Sequence, residues 1–295
     1  MRVSDQQITN LERYDINAAY DRLAQAQTTL STGKAINTPA DNPSGAAAAV
    51  ELQGNVAQNT AFSATASDTL NWLQATDASL GGVNDVLVQA RTLAVQGANG
   101  TLTSDQRAAI ADSVQQILGQ AVQSANGTYG NRYVLGGYQT NTPPFTLNAS
   151  GPTGVTYQGD NNAIQREVAP GQTMQINTTG SMALPAVFAA LSKLHDDLQS
   201  NNTAALGGAD LQAIDDAHTG LLATQATVGA RVNQAQAVQG QLETSGLNLS
   251  GQLSNLVDAD YAQAAIDFNS RQATYQAALT AAAKAVQPSL LEFLK

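Results

Sequence analysis

Cysteine is absent from this 295-residue chain, which excludes a disulfide framework and thiolate chemistry. Charge is scarce too. Asp, Glu, Lys and Arg make up 12% of the residues, about half the usual fraction. The balance is acidic, with 13 Lys and Arg against 23 Asp and Glu and a net charge of −10. Basic residues form no cluster, so the counterion-displacing patch that nucleic-acid binding needs is missing. No apolar run approaches the ~20 residues of a membrane span. The start, Met1-Arg2-Val3-Ser4-Asp5-Gln6-Gln7, lacks the apolar stretch of a secretory signal. The expectation is a chain that is cytosolic, or exported without cleavage of its N-terminus, with neither nucleic acid nor membrane as partner. Aromatics are only 5%, and alanine supplies much of the 43% hydrophobic share. Alanine buries little area, so the core per residue is thin. Thin cores suit long helices that pack along their length and complete their burial against other chains. The polar surface is Gln, Asn, Ser and Thr, which cost less than charges to desolvate at an interface.

What is present is helical periodicity at both ends. Ile16, Ala19, Leu23, Ala26 and Leu30 alternate in steps of three and four, an a/d seam. Ile8 and Leu11 are out of phase, so the seam shifts or frays there. Gly33 stands where a helix-ending C′ glycine belongs. Pro39 and Pro43, with Asp41 and Asn42 between them, predict a turn-rich loop over 35–43. Helix is expected again from Ser44. There Leu73, Leu80, Leu87 and Ala94 recur every seventh residue, joined by Leu70 and Val83, with a kink or break at Gly81-Gly82. Thr103-Ser104-Asp105-Gln106 reads as a capping box opening a helix with Ile110, Val114, Ile117 and Ala121 on one face, closed by Asn126-Gly127.

From Arg132 the period changes. Tyr133-Val134-Leu135, Val155-Thr156-Tyr157 and Met174-Gln175-Ile176 are short β-runs separated by Gly, Pro, Asn and Asp. Helix resumes at Leu184-Pro185 with Val187, Phe188, Leu191, Leu194 and Leu198 on one face, and a loop is expected from Asn201 to Gly208. Leu221, Val228, Ala235, Leu242, Leu249 and Leu256 then lie seven apart. Beyond Asp258-Ala259-Asp260 the pattern continues through Tyr261, Ala265, Phe268, Gln272, Tyr275, Leu279, Ala282 and Val286. Pro288 is expected to stop it before an apolar tail of Leu290, Leu291, Phe293 and Leu294. The predicted fold is mainly α: an elongated antiparallel coiled coil or helical bundle formed by both chain ends, with a small β-rich insertion at the tip. Three parts are expected: 1–40 with 255–295 as a terminal coiled coil, 41–131 with 184–254 as a helical bundle, and 132–183 as the insertion.

A catalytic or metal site does not emerge. His195 and His218 are the two histidines. His195, Asp196 and Asp197 are adjacent on a helix and point in different directions, so they do not converge on one ion. Asp258 and Asp260, two apart, would face opposite ways on a helix and mark a polar joint. There is no nucleophile elbow, Walker loop or G-x-G-x-x-G. No catalytic residue, metal ligand or cofactor is predicted, and the chain is not expected to be an enzyme. The heptads of the central helices suit an internal bundle. The first 30 and last 40 residues carry seams with no domain of their own to bury them, so Ile16, Leu23, Leu30, Leu249, Leu256, Tyr261, Phe268, Tyr275 and Leu279 are the candidate assembly interface.

Longer motifs carry a resemblance. Leu30-Ser31-Thr32-Gly33-Lys34 followed by Asn37 to Gly45, then Leu93 to Thr101, Val228-Gly229-Ala230-Arg231-Val232-Asn233 and Asp258-Ala259-Asp260-Tyr261-Ala262, occur in an order that resembles the flagellin superfamily over nearly the whole chain. Within it, the start Met1-Arg2-Val3-Ser4, the run Arg132 to Tyr138 leading to Thr142-Pro143-Pro144-Phe145, Tyr157-Gln158-Gly159-Asp160 and Ser289 to Leu294 resemble the branch that joins hook to filament.

The resemblance implies a structural subunit exported unfolded by the flagellar type III apparatus. Both ends would form an inner coiled coil lining the secretion channel. The subunit would sit in a homo-oligomeric ring, with another hook-associated protein on the hook side and flagellin on the filament side. An export chaperone would hold the C-terminal segment. In the free subunit the ends would be largely disordered, folding as assembly supplies their partners. At the position of an immune-receptor motif with a glutamate, this chain has Arg91-Thr92-Leu93, so receptor activation is not expected. The rival readings are a minor filament flagellin and a secreted adhesin or enzyme using the insertion.

Overall fold

The computed structural model describes residues 2–148 and 154–293, with the side chains of 2–6, 8, 9, 183 and 285–293 left undescribed. The apolar tail expected from Leu290 onward and the Ile8 side chain therefore lie outside the described residues. The described chain is mainly α-helical, with long helices at both ends and short strands between. It divides into two compact units, one of residues 59–244 and one of residues 1–58 with 245–295.

The 59–244 unit holds most of the apolar core. Helix α2 (Pro43–Gly97) places Leu73, Leu80, Val83, Leu87 and Ala94 in it, fully buried. This is the seven-residue repeat expected of an internal bundle. The chain does not break at Gly81-Gly82: α2 runs through both glycines. A Cβ on Gly82 would sit 2.9 Å from Ser124 Oγ, so glycine serves close helix approach rather than a break. Its helix-propensity cost is about 0.5–1 kcal/mol, small beside the flanking burial of Leu80 and Val83.

Helix α3 (Ser104–Ala125) opens with the expected capping box: Gln106 N–H donates to Thr103 Oγ1 at 3.3 Å and Thr103 N–H donates to Gln106 Oε1 at 2.9 Å. Arg107, in its first turn, is 3% exposed. It donates to the carbonyls of Gly97, Leu102 and Asn99 at 2.7–2.9 Å and to Asn201 Oδ1 at 2.7 Å. One buried guanidinium thus ties the α2–α3 turn to the loop after the next long helix.

Three antiparallel hairpins follow: β1 (Thr128–Tyr129) with β2 (Arg132–Tyr133), β3 (Phe145–Leu147) with β4 (Val155–Tyr157), and β5 (Gln165–Ala169) with β6 (Gln172–Gln175). Gly130 and Asn131 both have positive φ, the signature of a tight two-residue hairpin turn. The β-run expected at Tyr133-Val134-Leu135 stops after Tyr133. Val134 and Leu135 instead turn fully into the core, where burial outweighs further pairing. Phe145, Val168, Met174 and Ile176 join them in the same core as α3.

Helix α4 (Gly180–Ala183) is one turn, and α5 (Pro185–Gln199) buries Val187, Phe188, Leu191, Leu194 and Leu198 as its spacing predicts. The expected loop at 201–208 contains a further turn, α6 (Thr203–Leu206), because the Asn202 side chain accepts the Ala205 N–H as an N-cap. Helix α7 (Ala209–Val257) contributes Leu221, Val228, Ala235 and Leu242 to the core. Its first turn carries Asp210, fully buried and bonded by Lys193 Nζ at 2.6 Å. Burial raises the Asp210 pKa despite that partner.

In the other unit, helix α1 (Arg2–Thr32) packs against helix α8 (Tyr261–Phe293). Pro288 does not end α8 as the sequence predicts. A helical proline forgoes one hydrogen bond and costs about 3 kcal/mol. No helix among the described residues is long and apolar enough to cross a membrane.

Candidate assembly surface

The terminal pair is organised by the end of α1. Gly33 adopts φ +69° and its N–H donates to Thr29 O at 2.9 Å, a left-handed cap that only glycine makes without strain. The chain then runs alongside the joint between α7 and α8. Lys34 and Asp258 form an isolated antiparallel bridge, with Ala35 N–H donating to Val257 O at 2.7 Å and Ala259 N–H donating to Gly33 O at 2.8 Å. Asp258 and Asp260 are therefore not on a continuous helix. Asp258 accepts Ser254 Oγ at 2.6 Å, and Asp260 caps α8 by accepting Ala262 N–H at 2.9 Å. The polar joint read from sequence is a break that both aspartates stabilise.

The proline-bounded loop is braced by Asp41. Its carboxylate accepts the backbone N–H of Thr38 at 2.8 Å and of Asn37 at 3.0 Å, and the Gln25 side-chain amide at 2.8 Å. Those bonds, the Thr38 one foremost, hold its pKa below the usual carboxylate value. Asn42 then accepts Gly45 N–H at 2.9 Å and starts α2 with Pro43 at its first position. Gly45 is buried, and a Cβ there would lie 2.7 Å from Ile36 Cδ1.

With the α1 end fixed to the joint, α1 and α8 run antiparallel. The Tyr20 and Tyr275 rings meet at a tilt of 56°, with 5.8 Å between centroids, while Arg22, Gln25, Ala26 and Thr29 face Ala264, Asp267 and Arg271 across a shared cleft. Ala19 and Ala264 are the most buried residues of the pair, at 9% and 7% exposure. Ile16, Leu23, Leu30, Leu249, Leu256, Phe268 and Tyr275 are all half-buried. Tyr261 and Leu279 lie open to solvent, at 68% and 42%. Seven of the nine candidate interface residues are thus partly covered within one chain, and two are not.

Leu11, Tyr14, Tyr20, Val50, Leu247 and Ile266 of this unit are also exposed, and they fall off the a/d seam read from the sequence. Among the described residues, no group of three His, Asp or Glu is placed to hold a metal ion. His195 Nδ1 lies 3.0 Å from Asp196 Oδ1, while Asp197 bonds Lys193 and Asn202.

Comparison with known proteins agrees with this geometry. The bacterial flagellin N-terminal helical region matches residues 3–140, and the flagellin C-terminal helical region matches residues 211–294, together about three quarters of the chain. The flagellar hook-associated protein 3 of Salmonella typhimurium is 26% identical over 94% of this chain and 94% of its own length. The crystal structure of FlgL from Bacillus cereus is similar at a TM-score of 0.61, with 25% identity, covering 69% of this chain and 99% of that one. The flagellar junction protein FlgL from Legionella pneumophila shares the fold at a TM-score of 0.55, with 16% identity, covering 64% of this chain and 99% of that one.

Proposed function

We propose that this chain, which belongs to the bacterial flagellin family, is a structural subunit of the flagellum that joins hook to filament. The observation that carries the reading is the similarity to hook-associated protein 3 over 94% of both chains. The filament-flagellin alternative has less support: a Clostridium tyrobutyricum flagellin matches over 41% of the chain, and flagellin FlaB1 of Treponema pallidum over 90% at 25% identity, against 94% at 26% for hook-associated protein 3. The family is structural, and we assign the chain no catalytic role.

The finer reading is an adaptor ring. Copies sit side by side with a different hook-associated protein on one side and flagellin on the other, outside the cell, after export without a cleaved signal. Residues 1–40 with 255–295 are the assembling segment, and an export chaperone holds its C-terminal part. Tyr261, Leu279, Tyr14 and Ile266 on the α1–α8 pair are exposed apolar surface for such contacts, and the half-buried seam residues complete their burial against neighbours. Two helices in one layer cover only one side of each seam, so the surrounding copies supply the remaining driving force. Folding of the ends is coupled to assembly.

Deletion of the gene tests the reading: hooks without filaments, with flagellin shed into the medium, are expected. Normal filaments would return the assignment to a minor flagellin. Limited proteolysis of the free subunit tests the coupling. The 59–244 unit is expected to outlast both ends, and equal resistance throughout would defeat it.

A further inference from the structure

Arg231 belongs to a motif prominent in the sequence, Val228 to Asn233, yet the assembling ends do not use it. It lies on α7 within the 59–244 unit, and its guanidinium is half-buried. Nη1 donates to the Asn177 carbonyl at 2.8 Å. Among the described residues it forms no ion pair: the pairs formed there belong to Arg91, Arg166, Lys193 and His195. Burial without a counter-charge lowers its pKa. A guanidinium carries five N–H donors in a planar fork that matches a carboxylate, and this one has spent a single donor on protein.

The fork lines a cavity of about 290 Å³ shared with Ala223 and Thr227 of α7, Gln175 and Thr178 from the end of β6, and Met182 of α4. Thr178 Oγ1 is buried there without a hydrogen-bond partner among the described groups. The floor is rigid. Asn177 is fully buried, its Oδ1 accepts Ile164 N–H at 2.8 Å, and its Nδ2 donates to Asn162 O at 2.8 Å. Met182 stands at the rim, 84% exposed. A fixed cation, an unused hydroxyl, apolar walls and a flexible thioether at the mouth make a socket for one short acidic side chain.

We propose that this cavity seats an Asp or Glu side chain of a second copy of the chain, a contact that rests on the ring reading above. Charge complementarity selects the occupant. Each copy carries 23 acidic against 13 basic residues, so a second copy brings more carboxylates than it has cations of its own to pair with them. The socket on one copy and the carboxylate elsewhere on the next make a head-to-tail contact, the type that closes a ring. Once water is excluded, the charge-assisted fork makes a contact far stronger than an exposed ion pair.

A photo-crosslinking amino acid in place of Met182, in the full chain expressed in flagellated cells, tests it. In isolated hook–filament junctions a self-adduct is expected, mapping to a segment with Asp or Glu. Arg231→Gln is expected to lower its yield about tenfold or more, and Arg231→Lys less. The unfolding midpoint followed by Trp72, the single tryptophan, shows whether Arg231→Gln folds. If it does not, Thr178→Val, which removes only the unused hydroxyl, is read instead and is expected to lower the yield several-fold. An adduct to a different flagellar protein, no adduct, or a self-adduct insensitive to these substitutions overturns the proposal. An antibody against the chain, applied to the same junctions, separates the two readings. Absence of the chain there defeats the function and this contact together, whereas presence without the self-adduct defeats the contact alone.

Discussion

Lys34 pairs with Asp258 across an isolated antiparallel bridge, joining the end of the first helix to the break between the last two. The two backbone hydrogen bonds flanking it, at 2.7 and 2.8 Å, set where α1 starts back along α8 and so which seam residues meet. A slip at this bridge would carry Ala19 and Ala264 out of the contact and put larger side chains in their place.

Gly33→Val is expected to loosen that anchor. A left-handed conformation costs a residue with a Cβ about 1–2 kcal/mol, and nothing lies within 4 Å of the new Cβ to compensate or clash. The loss is therefore all backbone, and Gly33→Asn should cost less. Protease sensitivity of residues 1–58 in assembled subunits should rise, while the Trp72 unfolding midpoint of the free subunit holds.

Asp41 predicts an acid-sensitive loop. Its folded pKa lies below the ordinary 3.8, chiefly through the Thr38 N–H, then those of Asn37 and Gln25. A depressed carboxylate contributes stability that is complete above the unfolded value and lost as pH falls through the folded one. In assembled subunits, exchange protection of the Asn37 and Thr38 amides, corrected for intrinsic rates, should therefore persist at neutral pH and drop below about pH 4. Asp41→Asn should show low protection with no such step.

Arg107→Met should destabilise the 59–244 unit strongly. It keeps the aliphatic bulk but strands three carbonyls and Asn201 Oδ1. Buried acceptors left without donors cost about 1–3 kcal/mol each where water cannot reach them, so a loss of about 3 kcal/mol or more is expected in urea unfolding read by Trp72.

In assembled junctions, Phe268 and Tyr261 should separate pairing within a subunit from contact between subunits. Phe268 is half-buried on α8, so Phe268→Ala should cost about 1–2 kcal/mol of α1–α8 pairing, below the value for a fully buried ring. Tyr261→Ser removes an exposed side chain and should leave helicity and protease resistance unchanged while reducing motility in soft agar. Equal loss of helicity in both variants would show that Tyr261 acts within the subunit.

Much of the fold was legible because burial repeats with the helix. The face Leu73, Leu80, Leu87 and Ala94 and the face Val187, Phe188, Leu191, Leu194 and Leu198 are buried as their spacing requires. The capping box at Thr103 and the cap at Gly33 are local chemistry, readable from a few adjacent residues. Gly81-Gly82 misled because a glycine pair signals a break by propensity, whereas its meaning here depends on Ser124, more than forty residues away. Val134 and Leu135 misled because short apolar runs suit a strand and a core loop equally, and the surrounding helices decide between them.

The sequence by itself determined the class of the chain: cysteine-free, charge-poor, mainly helical, with apolar seams at both ends and motifs of one family. Each follows from composition or short-range periodicity, which the chain carries wherever it folds. Tertiary packing alone brings Lys34 to Asp258, sets Arg107 against two distant turns, and leaves Arg231 facing a cavity with no acid beside it among the described residues. These depend on which distant segments share space, and separation along the chain says nothing about that until packing has chosen the neighbours.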